Sequence, residues 1–299
     1  MRHFRVAELC VLVAAWFQGD ILDAAETARE RPPLFALCHD MQDARQRTPA
    51  QQAEMLAALG FDGVAHLWFS GVEERLKTID RQGLRLFQIY ERVNLAASPA
   101  YDKERFAEVL PLLKGRDIQI ALLLTGGRAS DPSLDDRAAA ILREMADKAA
   151  GYGVSLVVYP HRANWAETVD DGIRVAKKVD RKNVGTMFNL CHWAIVDQEE
   201  DLQALLTRAM PHLLCVTING SDSPAAVKTP EGKWIVPLDE GDYDVRRVVQ
   251  LLQSLGYRGA IGLQCYGIQG DAQTHLQRSM RVWRSWHEKQ NPPMQAAER

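Results

Sequence analysis

The feature that most constrains this chain is a short repeat: an apolar run, a turn, then an amphipathic run, eight times between Leu34 and Glu288. The first apolar run is Leu34 to Cys38. Thr48-Pro49 then reads as an N-cap with proline at the first helical position, and the helix stops at Gly60. The second and third runs, Asp62–Leu67 and Leu84–Val93, are followed by helices over Val72–Gln82 and Lys103–Lys114. Ile118–Leu124 is the fourth. Its helix has the clearest face: Ala138, Ile141, Leu142, Met145 and Ala149 fall at i, i+3, i+4, i+7 and i+11. Strands over Ser155–Tyr159, Val184–Phe188, Leu213–Ile218 and Ala260–Cys265 complete the set, with helices over Trp165–Val179, Glu199–Ala209, Asp244–Leu255 and Asp271–Glu288. A long polar stretch, Asn219 to Asp242, with Glu231-Gly232 as a hairpin turn, separates the seventh strand from its helix.

Strands that are apolar throughout, alternating with amphipathic helices, imply a parallel sheet covered on its outer face. Eight such units in about 255 residues predict an α/β fold, a (β/α)8 TIM barrel in a single domain over residues 34–290. A doubly wound sheet is the alternative, but no GxGxxG turn opens a first helix. Residues 291–299 read as a disordered tail.

Residues 1–33 read as a signal peptide and lead-in. Met1–Arg5 holds two arginines, and Val6–Phe17 is an apolar run broken by Glu8, with Ala24 or Ala25 near a cleavage point. That run is too short to span a bilayer. A frayed helix is the bland alternative. A cleaved leader would make the protein exported or periplasmic, and otherwise it is cytoplasmic. The net charge of -3 lacks the basic excess of a nucleic-acid binder. The five cysteines form no CxxC pair, so neither a zinc ribbon nor a disulfide framework is expected.

In a barrel of this kind chemistry sits at the carboxyl ends of the strands. The ends here collect polar and aromatic side chains. They are His39 and Asp40; His66 with Trp68; Tyr90, Glu91 and Arg92; Tyr159 and His161; Asn189, His192 and Trp193; Thr217, Asn219 and Asp222; and Gln264 with Tyr266. Histidine suits proton transfer near neutral pH. Aromatic rings offer flat faces, and neutral amides bond hydroxyls as donor and acceptor. The mixture suits a polyhydroxylated small molecule. A lone histidine at a strand end is as often structural, but four (His39, His66, His161, His192) point to at least two at a site. Glu91 is the carboxylate most tightly placed after an apolar strand, and an ion pair is its structural alternative. No GxSxG, P-loop, HExxH or EF-hand loop is present, and Gly126-Gly127 alone is a weak phosphate signal.

Leu156–His161, Asn183–Trp193, Val216–Asp222 and Gly256–Tyr266 resemble the sugar phosphate isomerase/epimerase family, the xylose isomerase-like TIM barrels that share the AP endonuclease family 2 fold. The resemblance spans about Leu34 to Trp286, and is nearest to a branch with leader peptides. It implies a divalent metal held by Glu, Asp, His and Glu at the ends of strands five to eight. Here those positions carry Tyr159, Asn189, Thr217 and Gln264. His192 matches the family pattern, and His66 stands where some members use a further histidine. Hard cations need anionic oxygen ligands, so no cofactor of the usual Mg²⁺ or Mn²⁺ kind is expected. A softer Zn²⁺ site from His66, His161 and His192 is the remaining metal option.

The resemblance and the residues together predict an isomerase, epimerase or keto-sugar lyase that moves a proton beside a carbonyl. His161 and His192 would serve as base and acid with Glu91 as partner. Asn189, Asn219 and Gln264 would orient hydroxyls, and Tyr159 or Tyr266 would polarise an oxygen. A barrel that binds a carbohydrate or a protein without turning it over is the competing expectation, and a nuclease reading is disfavoured by the charge. The small-molecule partner is a carbohydrate, and no membrane span or oligomeric state is implied.

Overall fold

A computed structural model of the 299-residue chain describes residues 31–196 and 201–287. Residues 1–30, on which the expected signal peptide falls, 197–200 and 288–299, with the expected tail, lie outside the described residues. Eight parallel strands close on themselves in sequence order: β1 Leu34–Leu37, β2 Gly63–Leu67, β3 Arg85–Asn94, β4 Gln119–Thr125, β5 Ser155–Val158, β6 Val184–Asn189, β7 Leu213–Ile218 and β8 Ile261–Gln264. Pairing of Leu34 with Ile261 and of Leu37 with Gln264 joins β8 to β1. This is a single (β/α)8 barrel within Pro33–Trp286.

The helices are α1 Pro49–Leu59, α2 Val72–Asp80, α3 Lys103–Leu113, α4 Asp135–Ala150, α5 Val169–Val179, α6 Leu190–Val196, α7 Leu202–Ala209, α8 Val245–Ser254 and α9 Ala272–His287. Thr48 and Gln51 form the capping box of α1, and Gly60 ends it in the left-handed conformation that glycine adopts without penalty. Among the described residues no helix is long and apolar enough to cross a membrane.

Two helices follow β6 where one was expected. Asn189 Oδ1 accepts from the backbone N–H of His192 at 3.2 Å, so the last strand residue caps α6 directly. The helix after β5 begins at Val169 rather than Trp165. The Trp165 ring is fully buried, with its Nε1 donating to the Asp131 carbonyl at 2.7 Å. The 219–242 stretch folds back as expected: Gly220 and Val236 form a two-residue antiparallel bridge.

The apolar side chains divide into two layers. A large outer layer lies between strands and helices, and a small inner one fills the barrel with Phe35, Phe87, Tyr90, Val157, Tyr159 and Met187 among others. Gly262 on β8 is required by this filling. A Cβ there would stand 2.7 Å from the Phe35 ring and 2.8 Å from Thr217 Cγ2. One irregularity matters for the site. Val64 pairs with Leu86 but Ala65 pairs with Gln88, so Phe87 is an extra residue in β3. Side chains along a strand alternate between faces, and an extra residue reverses the phase of everything after it.

Candidate active site at the barrel mouth

Alternation decides which strand-end residues enter the barrel mouth. Past the extra residue in β3, Tyr90 and Arg92 face inward and Glu91 between them faces out. On β2, Ala65 and Leu67 face inward and His66 faces out. On β5, Val157 and Tyr159 are inward, followed by His161. The result is an open cavity of about 610 Å³ above the inner layer. Tyr159, His161, His192, Gln264 and Tyr266 line it, with Trp68, Arg92, Arg162 and Trp234 as further walls.

Tyr159 is the hub of the polar floor. Its oxygen accepts from Asn189 Nδ2 at 2.9 Å, and the Gln264 side chain bonds the same oxygen. Both amides are oriented by their other ends. Asn189 Oδ1 takes the Cys191 thiol at 2.8 Å and the His192 N–H, and Gln264 Oε1 takes the Tyr266 N–H at 3.1 Å. With amide hydrogens directed at the tyrosine oxygen, the phenol's own proton goes to His192 Nε2, 3.2 Å away. That places the His192 hydrogen on Nδ1, a buried nitrogen with no hydrogen-bond partner. Burial holds Tyr159 well above the usual phenol range, and the Cys191 and Cys38 sulfurs add to it, so the ring stays a neutral donor.

The two mouth histidines lie ring against ring, centroids 3.9 Å apart. His161 Nδ1 pairs with the Arg162 carbonyl at 2.8 Å, so Nδ1 carries the hydrogen and Nε2 keeps its lone pair. Partial burial lowers the His161 pKa, and the charge of Arg92 lowers it further. His192 is pushed down to about 2, first by burial and then by His161 and Arg162. Both rings are therefore neutral at pH 7, and His161 presents the accessible base.

Three expected site residues take other positions. Glu91 does not enter the cavity; its carboxylate accepts from the backbone N–H of Phe69 at 3.2 Å and of Arg92 at 2.9 Å, pinning the loop after β2. His66 turns toward α2, where Nε2 pairs with the Ser70 carbonyl at 2.7 Å and Nδ1 accepts from Arg75 Nε at 3.4 Å. It is therefore not gathered with His161 and His192, and the three do not form the zinc triad considered from sequence. Asn219 is fully buried and donates to the carbonyls of Gly220 and Trp234, so it holds the 219–242 loop. His39 is fully buried with both ring nitrogens unpartnered, and burial drives its pKa to about 4.

Asn189 lies behind Tyr159 and reaches the cavity only through it. Thr217, at the end of β7, is buried with its hydroxyl unpartnered. Thus the four positions that hold metal in the resembled family carry a neutral phenol, two oriented amides and an alcohol. Among the described residues no group of three or more His, Cys, Asp or Glu is gathered. Sequence reasoning passed over Trp234 and Arg162. Trp234 reaches the mouth because the loop folds back, with its Nε1 donating to the Cys191 carbonyl at 2.6 Å and its ring 5.7 Å from His192. Arg162 carried a signal, its place directly after His161.

Fold and mouth define a (β/α)8 barrel with an open cleft of polar and aromatic side chains at its strand ends. The family model described as xylose isomerase-like TIM barrel matches residues 53–286, and the chain belongs to that family. No curated protein matches the sequence. Solved structures show the same fold at low identity. D-psicose 3-epimerase from Clostridium cellulolyticum H10 is 17% identical with a TM-score of 0.65, over 86% of this chain and all of that one. The probable 3-DHS dehydratase from Bacillus anthracis is 16% identical with a TM-score of 0.67, over 86% of this chain and 99% of that one. An AP endonuclease family 2 protein from Brucella melitensis is 21% identical with a TM-score of 0.63, over 82% of this chain and 96% of that one.

Proposed function

We propose that the mouth is the active site of a sugar isomerase or epimerase that moves a proton beside the carbonyl of a carbohydrate or keto-sugar without a divalent metal. The sugar-modifying character of the family and its structural neighbours supports the class. The observation that carries the reading is His161: a neutral imidazole with a lone pair on Nε2, set in an open cavity between Trp68, Trp234 and Tyr266. Its Nε2 takes the proton from the carbon next to the carbonyl; the C–H electron pair forms a C=C bond and the carbonyl π pair moves onto the oxygen. Protonation of the same carbon from the opposite face gives the epimer, and protonation of the former carbonyl carbon, with the hydroxyl proton passing to the other oxygen, gives the isomer. Departure of a β-hydroxyl as water, protonated by the imidazolium formed on His161, instead gives the lyase outcome, a reaction class consistent with the dehydratase neighbour. Arg92 is the cationic donor available to the developing oxyanion, since the Tyr159 proton is committed to His192.

A hard divalent cation fits this donor set poorly. Tyr159 is held neutral, the Asn189 oxygen caps α6, and the Gln264 oxygen takes a backbone N–H. Little remains to replace a hydration shell. No step is assigned to a metal.

A second reading, a barrel that binds a carbohydrate without turnover, is favoured by one feature: none of the described residues lining the cavity is Asp or Glu. Proton NMR of carbonyl sugars in D₂O, with the protein first treated with EDTA, separates the two. Solvent deuterium entering one sugar position, unaffected by EDTA, is the expected result. Binding without exchange across the panel would establish the silent barrel. Stoichiometric Mn²⁺ or Mg²⁺ in the purified protein, with activity lost on chelation, would overturn the metal-free reading.

A further inference from the structure

The cavity has a charge pattern that a neutral sugar leaves unused. Two arginines, Arg92 from the end of β3 and Arg162 after β5, stand in its wall, and no described Asp or Glu does. Among the described residues neither guanidinium has an ion-pair or side-chain hydrogen-bond partner. The Arg92 guanidinium carbon stands over the Trp68 ring, 4.2 Å from its centroid. Elsewhere the chain neutralises such groups: Arg47 pairs with Asp43 and Asp271, Arg174 with Asp135 and Asp171, and Arg278 with Asp239 and Glu240. The mouth thus gathers positive charge with no carboxylate among its described lining residues, on a protein whose net charge is -3. The histidine pair responds to the same field, with Arg92 acting on His161 and Arg162 on His192.

We infer that the ligand of this mouth is a sugar acid, a polyhydroxylated carbonyl compound bearing a carboxylate that Arg92 and Arg162 clamp. Two observations select a carboxylate over a phosphate. A planar guanidinium already held over an indole is pre-oriented for a planar bidentate partner. Phosphate sites usually add a cradle of free backbone N–H groups. Here five loop amides around the cavity are already taken: His161 by the Ala166 carbonyl, Ala163 by Glu167, Asn164 by the His161 carbonyl, Tyr266 by Gln264 and Gly267 by Gln42. The cavity volume of about 610 Å³ accommodates a hexose-sized acid with water. Polarised hydroxyls would meet Gln264 and Tyr159 on the floor, and the ring would lie against Trp234 or Tyr266.

This inference rests on the mouth being a sugar site, so its test has to fail separately. Quenching of tryptophan fluorescence, from Trp68 and Trp234 in the wall, would be titrated with glucuronate, galacturonate and 2-ketogluconate, with glucose and fructose, and with glucose 6-phosphate. At least one acid is expected to bind tenfold or more tighter than the neutral sugars. Its affinity should fall tenfold or more in Arg92→Gln and in Arg162→Gln and weaken with added salt, while Arg92→Lys retains part of it. Equal affinity for acids and neutral sugars, indifferent to both arginine variants, would overturn the carboxylate inference and leave the sugar site standing. Tighter binding of the phosphate than of any acid would also overturn it. No response to any of the six compounds would defeat both.

Discussion

The two sides of the barrel mouth are built from the same residue types with opposite results. On the β5, β6 and β8 side, Tyr159, His161, His192 and Gln264 enter the cavity; Tyr159 bonds His192 and Gln264, and the His161 ring lies against His192. On the β2 and β3 side, His66 and Glu91 are equally polar and equally close to strand ends, yet both face away and hold loop backbone. The difference is phase. A side chain one residue out of step lies on the opposite face of the strand, among helices and loops. Polarity near a strand end is therefore not enough to define a site residue; its parity relative to the inner layer decides.

The comparison breaks most easily at His161. His161→Ala should lower sugar solvent exchange by about 10²–10⁴-fold, the usual contribution of a positioned general base. NMR in D₂O measures this, and loss under tenfold would move the base to another residue. Tyr159→Phe comes next. It strips a partner from Asn189 Nδ2 and from His192 Nε2, both buried, at roughly 1–3 kcal/mol for each orphaned group. Urea unfolding should show a loss of about 2–6 kcal/mol, and an unchanged midpoint would show that the hub is dispensable.

Acid should expose the buried rings. His192 is shifted from 6.5 to about 2, and His39 and His275 from 6.5 to about 4, in each case mainly by burial. Below pH 6.5 the unfolded chain protonates these rings while the folded one keeps them neutral. The unfolded state then binds more protons, and stability falls as pH falls. Each ring contributes about 1.4 kcal/mol per pH unit, His39 and His275 levelling near pH 4 and His192 continuing toward pH 2. Unfolding midpoints from pH 7 to 4.5 measure the slope, and His192→Gln should reduce it by about one proton. A flat profile would contradict the burial of these rings.

The smallest effect belongs to the outward side. Glu91→Gln should cost about 1 kcal/mol, because an amide N–H₂ meets a backbone donor, and should change exchange activity by no more than about threefold. A hundredfold loss of activity there would erase the distinction between the two sides.

Much of the architecture was readable before the structure. The apolar runs, the Thr48-Pro49 start and the Gly60 stop are local signals, and local signals survive folding. The face of α4 was likewise plain, with Ala138, Leu142, Met145 and Ala149 all buried. The helix α6 was not, since its cap is a strand residue and its first turn is apolar. Glu91 was misplaced because Leu86-Phe87-Gln88-Ile89-Tyr90-Glu91 shows no alternation from which to read a phase, and the extra residue at Phe87 shifts that phase halfway. Trp234 could not have been assigned, as its place depends on a bridge between Gly220 and Val236, 16 positions apart.

By itself the sequence determined the barrel, its family resemblance and the neutral residues at four ligand positions, because hydrophobic periodicity and residue identity are properties of the chain. Only the tertiary structure decided that Tyr159 collects the Asn189 and Gln264 amides and hands its proton to His192, and that Arg92 enters the mouth while Glu91 leaves it. Hydrogen-bond direction and strand parity depend on which backbone sits alongside, and that is fixed only when the sheet closes.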